Sequence, residues 1–210
     1  LLVLGRKISL AVRLARHSSL GLSLPRAIMR TAGRTLLVVR AIEALGALAL
    51  WLHWRPVLGD ARALFYGVFH AVSSFCNAGF VLFVGVPGFD SIPGDLVSLT
   101  VMGALIVAGG LGIPVWSDLL SRRRRLSLHS KVTLIASALL IVGGAAGILV
   151  AEGLRGGLFQ DLPWYDALGH SLFQSVSART AGFTPWEDLS VMTPASQLLI
   201  TGLMLVGTAP

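Results

Sequence analysis

A chain of 210 residues with 54% hydrophobic and only 13% charged side chains, at a mean hydropathy of +0.78, is too apolar for an ordinary soluble domain. Its net charge of +7 does not point to nucleic acid, because most basic residues fall in two groups, Arg6 to Arg34 and Arg122 to Arg125 with Lys131, that flank apolar spans. The single cysteine, Cys76, excludes an internal disulfide framework.

The chain opens Leu1-Leu2-Val3-Leu4-Gly5 without a Met and reads as entered mid-helix, with no signal peptide. Residues 6–35 are basic, interrupted by Gly21, Pro25 and Gly33, and predict a cytoplasmic linker with amphipathic helical pieces. A first membrane span is expected from Leu36 to Trp54, close to the roughly 20 residues a bilayer requires, with Trp51 and Trp54 at its outer interface. Arg40 and Glu43 lie three residues apart on one helical face and suggest a structural ion pair. Ala63 to Cys76 is apolar but too short to cross, so it predicts a re-entrant or interfacial piece.

A second span runs from Asp95 to Leu119 and carries Gly109-Gly110-Leu111-Gly112, which favours close helix approach or local unwinding. Residues 121–131 form a basic cytoplasmic loop, suited to topology setting and, secondarily, to a cytoplasmic partner or anionic lipid. A third span, Val132 to Val150, holds the small-residue stretch Gly143-Gly144-Ala145-Ala146-Gly147, which suits tight helix packing. Tyr165 to Ala178 is a second too-short piece, and a last span begins near Ala195. Twelve of the 17 basic residues then fall inside, and all acidic residues but Glu43 and Asp118 fall outside, so the outer mouth would concentrate cations.

Each short piece leads into the same tripeptide. Asn77-Ala78-Gly79-Phe80 and Thr180-Ala181-Gly182-Phe183 place their glycines 103 residues apart, as one unit written twice. Irregular backbone at membrane depth survives only where protein or a water path surrounds it, and carbonyls held free there can replace an ion's hydration shell. Half-helices that enter from outside put their C-terminal ends, which favour a cation, at the membrane centre. The glycines permit backbone angles and approaches that a side chain would block, and Phe80 and Phe183 are expected to wedge behind the loops. The pseudo-symmetry predicts that the two loops face each other across a polar gap.

These residues, together with Leu4-Gly5-Arg6-Lys7, Ser74-Phe75-Cys76, Gly109-Gly110-Leu111-Gly112-Ile113-Pro114-Val115-Trp116, His129-Ser130-Lys131 and Phe173-Gln174-Ser175-Val176-Ser177-Ala178-Arg179, resemble the Trk/Ktr/HKT superfamily of potassium transporters, and in particular its bacterial TrkH/KtrB-type membrane subunit. The resemblance implies an all-α membrane protein of helix, pore loop and helix pseudo-repeats with re-entrant half-helices, of which this chain is a fragment of a four-repeat pore. Residues 1–5 would end the first repeat, 36–120 form the second, and 132–210 form the third, truncated before its gate loop. On this pattern the backbones of Asn77, Ala78, Gly79 and Phe80 and of Thr180, Ala181, Gly182 and Phe183 line the filter, while Gly207, Thr208, Ala209 and Pro210 enter the gate. Potassium held by the filter carbonyls is the only ion implied, with no organic cofactor and no enzyme chemistry. Implied partners are membrane lipid, a second copy in a homodimer, and a cytoplasmic nucleotide-binding regulatory subunit of the TrkA/KtrA type. The implied location is the bacterial inner membrane.

Other residues carry weaker alternatives. His70 and His170 are not at ligand spacing to another His or Cys and are expected to pack. Cys76 has no neighbouring base and reads as a small packing residue. Arg179, one residue before the second loop, would oppose a cation if it faced the pore, so it is expected behind the loop, bonded to carbonyls or a carboxylate. A secondary transporter for another small solute would use the same broken helices, but with half-helix N-termini facing its substrate.

Overall fold

The computed structural model describes residues 24–83, 85–86, 89, 91–120, 126–154, 157–186 and 188–207. Residues 1–5, Arg122 to Arg125, Glu187 and the gate positions Thr208, Ala209 and Pro210 lie outside them. The chain divides into two units, Leu1–Arg40 and Ala41–Pro210. Helix α1 (Leu24–Leu58) runs through the boundary, and its first turns are all that is described of the first unit.

The second unit is helical, without strands among the described residues: α2 (Asp60–Phe75), α3 (Leu96–Gly110), α4 (Gly112–Leu119), α5 (Leu128–Gly153), α6 (Trp164–Thr180), a 3-10 turn (Leu189–Val191) and α7 (Pro194–Gly207). Helix α1 begins at Leu24, inside the expected linker, and outlasts the expected span by a turn that contains Pro56. It stops at Gly59, whose φ of 76° reverses the chain into α2.

Helices α1 and α3 are antiparallel. Trp54 Nε1 donates to Ser98 Oγ at 2.8 Å and His53 Nε2 meets Asp95 Oδ2 at 2.6 Å, while eight residues earlier Gly46 lies against Leu105, seven residues further along α3. Asp95 also caps α3 by accepting from Ser98 N at 2.9 Å and Ser98 Oγ at 2.8 Å. The glycine cluster in the second span does both things expected of it. Gly109 lets another backbone come close, and at Gly112, with φ 75°, the helix breaks into α3 and α4. The break leaves Ala108 O without its helical donor, and Trp116 Nε1 supplies one at 2.8 Å.

Asp118 then ties the end of α4 to the start of α5, accepting from Ser130 Oγ at 2.6 Å and Ser127 N at 3.1 Å. Helix α5 is long and apolar enough to cross a membrane, with a mean hydropathy of 2.5, as is Thr35–Leu58 of α1 at 1.8. Val132, Ile135, Leu139, Val142 and Val150 form an exposed stripe along α5. A row of branched apolar side chains with no protein over it suits lipid rather than water. The opposite face carries the small residues: a methyl on Gly144 would fall 2.4 Å from Ser175 Oγ of α6 and 2.8 Å from Leu203 of α7, and one on Gly147 2.5 Å from Leu199. Gly143 has nothing within 4 Å of a methyl, and Ala146 of the same stretch is exposed.

Glu152, fully buried at the far end of α5, accepts from Leu158 N, Thr193 N and Thr193 Oγ1, each at 2.8 Å. It thereby ties the entry of α6 and the start of α7 to one carboxylate.

Candidate functional site: two glycine loops

The two short pieces that lead into the Ala-Gly-Phe motifs form helices α2 and α6, of 16 and 17 residues, about 24–26 Å at the usual rise per residue. Each is held in place by a glycine on a neighbour or on itself. Gly67 of α2 lies on α1, where a Cβ would be 3.0 Å from Ala47 O and Trp51 N; Gly169 of α6 lies on Leu96, and Phe173 packs over Gly103. The end of α2 rests on α3 even more tightly, since a Cβ on Gly109 would fall 1.7 Å from Phe75 O.

Helix α2 closes with the two hydrogen bonds of a Schellman turn, Ala78 N to Ser73 O at 2.9 Å and Asn77 N to Ser74 O at 3.1 Å, with Asn77 left-handed at φ 53°. The chain then doubles back along α2. Ser73 Oγ bonds both N and O of Phe80 at 3.1 Å, and His70 Nε2 accepts from Leu82 N at 3.3 Å. His70 Nδ1 stands 2.8 Å from Tyr66 O, an acceptor, so Nδ1 carries the proton and the neutral ring leaves Nε2 free to accept. His70 is fully buried among Trp54, Tyr66, Phe69 and Phe83, with ring centroids 5.0–6.1 Å apart. It packs, as expected, and it also pins the returning strand.

Helix α6 runs two residues further relative to the motif: it ends at Thr180, two before Gly182, whereas α2 ends at Phe75, four before Gly79. Thr180, expected in the loop, is therefore the last helical residue, and Ala181 caps it. Gly182 N bonds Ser177 O at 2.9 Å, and Ser177 Oγ donates to Phe183 O at 2.6 Å. Both loops thus use the same device, a serine of the last turns holding the backbone of the closing phenylalanine. Sequence reasoning missed Ser73 and Ser177, and a serine six or seven residues ahead of each Phe was the only available signal.

The glycines match. Gly79 and Gly182 have φ of 73° and 75°, and neither lies in a helix. The phenylalanines do not. Phe183 is 1% exposed and wedges as expected, whereas Phe80 is 68% exposed, and Phe83 holds the first loop instead, fully buried against Trp54, Tyr66 and Phe89. The earlier exit from α2 leaves room for a longer return, so the buried aromatic comes three residues later. Cys76, expected to pack, is exposed at the cap of α2.

The two loops touch rather than face each other across a gap: a Cβ on Gly79 would fall 2.2 Å from Ala181 O. Ser91 Oγ donates to Thr184 O at 2.7 Å, so the segment after the first loop also clasps the exit of the second. No hydrogen bond between described residues ends on the carbonyls of Asn77, Ala78, Gly79, Ala181 or Gly182. Among the described residues no cluster of His, Cys, Asp and Glu could hold a metal. His170 packs against Phe159 and Trp186, with ring centroids 6.1 and 5.4 Å away, and those two rings also lie 6.1 Å from each other.

Arg179 points back into the protein, with Nη1 3.2 Å from Ser137 O and Nη2 3.1 Å from Ser137 Oγ. That is the expected placement, with a hydroxyl as second acceptor. Gly207, expected at a gate, is the last residue of α7 and buried against the backbone of Arg179.

A family model described as TrkH, cation transport protein, matches residues 3–210. The chain belongs to the TrkH family. It is similar to the potassium/sodium uptake protein NtpJ of Enterococcus hirae, at 38% identity over 96% of this chain and 44% of NtpJ. It is similar too to the Ktr system potassium uptake protein B of Vibrio alginolyticus, at 34% identity over 99% of this chain and 46% of that protein, and of Bacillus subtilis strain 168, at 31% over 98% and 46%. The chain therefore spans just under half the length of these curated relatives. Family and relatives are those of a transporter, and the long apolar helices of this TrkH-family chain are consistent with a membrane location.

Proposed function

We propose that this chain supplies two of the filter strands of a potassium uptake pore, in which backbone carbonyls of Asn77–Phe80 and Thr180–Phe183 coordinate the ion. The observation that carries the reading is a pair of left-handed glycines in two loops whose backbones touch, Gly79 against Ala181 O, flanked by carbonyls that no hydrogen bond of the described protein occupies. Free carbonyls at the C-terminal ends of two half-helices favour a cation by their own dipoles and by those of the helices. The Phe80 and Phe183 carbonyls also accept serine hydroxyls, which fixes the ends of the two loops and leaves each of these carbonyls a second lone pair. The remaining strands come from chain beyond this segment, as four pseudo-repeats around one axis require.

The same reading places the protein as a multi-pass subunit of a bacterial inner membrane with its basic loops cytoplasmic. It pairs the chain with a second copy and with a cytoplasmic nucleotide-binding regulatory subunit; the relatives' names, components of a Ktr system, support a multi-component assembly. The test is rubidium and sodium flux through proteoliposomes that hold the whole transport protein. Gly79→Ala and Gly182→Ala are expected to lower the rubidium-to-sodium ratio, and an unchanged ratio in both removes these loops from the filter.

A further inference from the structure

The last residue of α7 sits on the residue that launches the second loop. A Cβ on Gly207 would fall 2.6 Å from Arg179 Cβ, 2.7 Å from its Cα and 2.8 Å from its carbonyl oxygen, so the two backbones are in direct contact. Arg179 is one residue before Thr180, and its guanidinium is tied to α5 through Ser137. Its Nε is buried without a hydrogen-bond partner among the described residues. Beside it lies a cavity of about 10 Å³, room for roughly one water, bordered by Val107, Gly110, Leu111, Ser137 and Thr180 and reaching the break between α3 and α4. The base of the second loop is therefore gripped on the α5 side, pressed on the α7 side and slack toward the broken helix. Packed backbones resist compression, so a shift of the end of α7 moves Arg179 rather than being absorbed.

We propose that Arg179 is a positioning residue through which the end of α7, at Gly207, sets the geometry of the Thr180–Phe183 loop. This rests on the filter reading above. The bond to Ser137 makes the side chain a pivot: α7 displaces the backbone, the guanidinium stays on α5, and the loop one residue on changes its angle. Arg179 does not touch the ion. Its charge is turned away, where it does not compete with a cation at the loop.

Proteoliposomes with the whole transport protein read both the rubidium uptake rate and the rubidium-to-sodium permeability ratio. Gly207→Ala is expected to shift the ratio about threefold or more, the lower range for coupled residues in contact. Gly202→Ala, a methyl added to the same helix where nothing lies within 4 Å, leaves it unchanged. Arg179→Gln shifts the ratio as well, Arg179→Lys restores part of it, and the Gly207→Ala, Arg179→Gln double variant is not additive. A rate change at constant ratio in Gly207→Ala, or additivity in the double variant, overturns the coupling while leaving the filter in place. An unchanged ratio in Gly79→Ala and Gly182→Ala instead overturns the filter reading itself. Where Gly207→Ala does not assemble, Arg179→Gln carries the test, and an unchanged ratio in it overturns the proposal.

Discussion

Two glycines with the same backbone angle stand in unequal surroundings. An alanine at either position adopts a left-handed conformation that costs roughly 1–2 kcal/mol. At Gly182 that is the whole penalty, because nothing lies within 4 Å of the new methyl, but at Gly79 the methyl also meets Ala181 O. Gly79→Ala should therefore lower the melting temperature in detergent more than Gly182→Ala does, and equal losses would show that the contact between the loops is not tight. The serine ties make a second comparison. Ser73→Ala and Ser177→Ala each remove a hydroxyl from a Phe backbone, worth about 1 kcal/mol net, and both should broaden ion selectivity before they unfold the protein. Measured selectivity that survives both substitutions at reduced stability would assign the serines to folding alone.

At the scale of helices, Gly109 is the residue on which the first half-helix comes to rest. Its methyl variant cannot be accommodated by rotating a side chain, since the obstacle is Phe75 O. Gly109→Ala is expected to cost about 1–3 kcal/mol, as overpacking does, and to show as reduced thermal stability, with a shift of the Cys76 labelling rate at the displaced cap. The clamp between α1 and α3 carries a pH signature. Burial would raise the Asp95 carboxyl, but hydrogen bonds from Ser98 N–H and Oγ–H and the His53 imidazole outweigh it and hold it below its usual value. A depressed carboxyl stabilises the fold above the ordinary pKa of about 4 and loses that contribution as pH falls through its folded value. Asp95→Asn should lower stability at neutral pH and flatten its decline in acid; an unaltered pH profile would remove Asp95 from the clamp.

Across the whole molecule, α5 should separate two faces. In a Cys76→Ser background, Asp161→Cys is expected to react with a membrane-impermeant maleimide on intact cells, and Lys131→Cys only after permeabilisation. Labelling of both from one side would defeat the assigned topology. Much of this architecture was legible because it rests on composition and on local pattern: apolar lengths, too-short pieces before each Ala-Gly-Phe, and Gly109-Gly110-Leu111-Gly112 as a place of approach and breakage. The roles of Phe80 and Phe83 were not, because they depend on whether a helix ends two or four residues before a glycine, and helix ends are decided by tertiary partners. The contact of Gly79 with Ala181 joins residues 102 positions apart and has no local signal. Nor did the sequence pair Gly207 with Arg179, although each was singled out separately.

The dependence of both half-helices on neighbours sets an order of assembly. Helix α2 leaves the ribosome with α1 already made, but the glycine that receives its C-terminal end lies on α3, some 30 residues later in the chain. Helix α6 leans on α3 and α5, both already made by then, but its last turn is closed by the end of α7. Each of these two short helices is thus made before its final support and must wait for it beside the insertion machinery, too short to span a bilayer. The nascent chain is most open to quality-control proteases in those two intervals, and slowed translation just ahead of α3 or α7 would lengthen them.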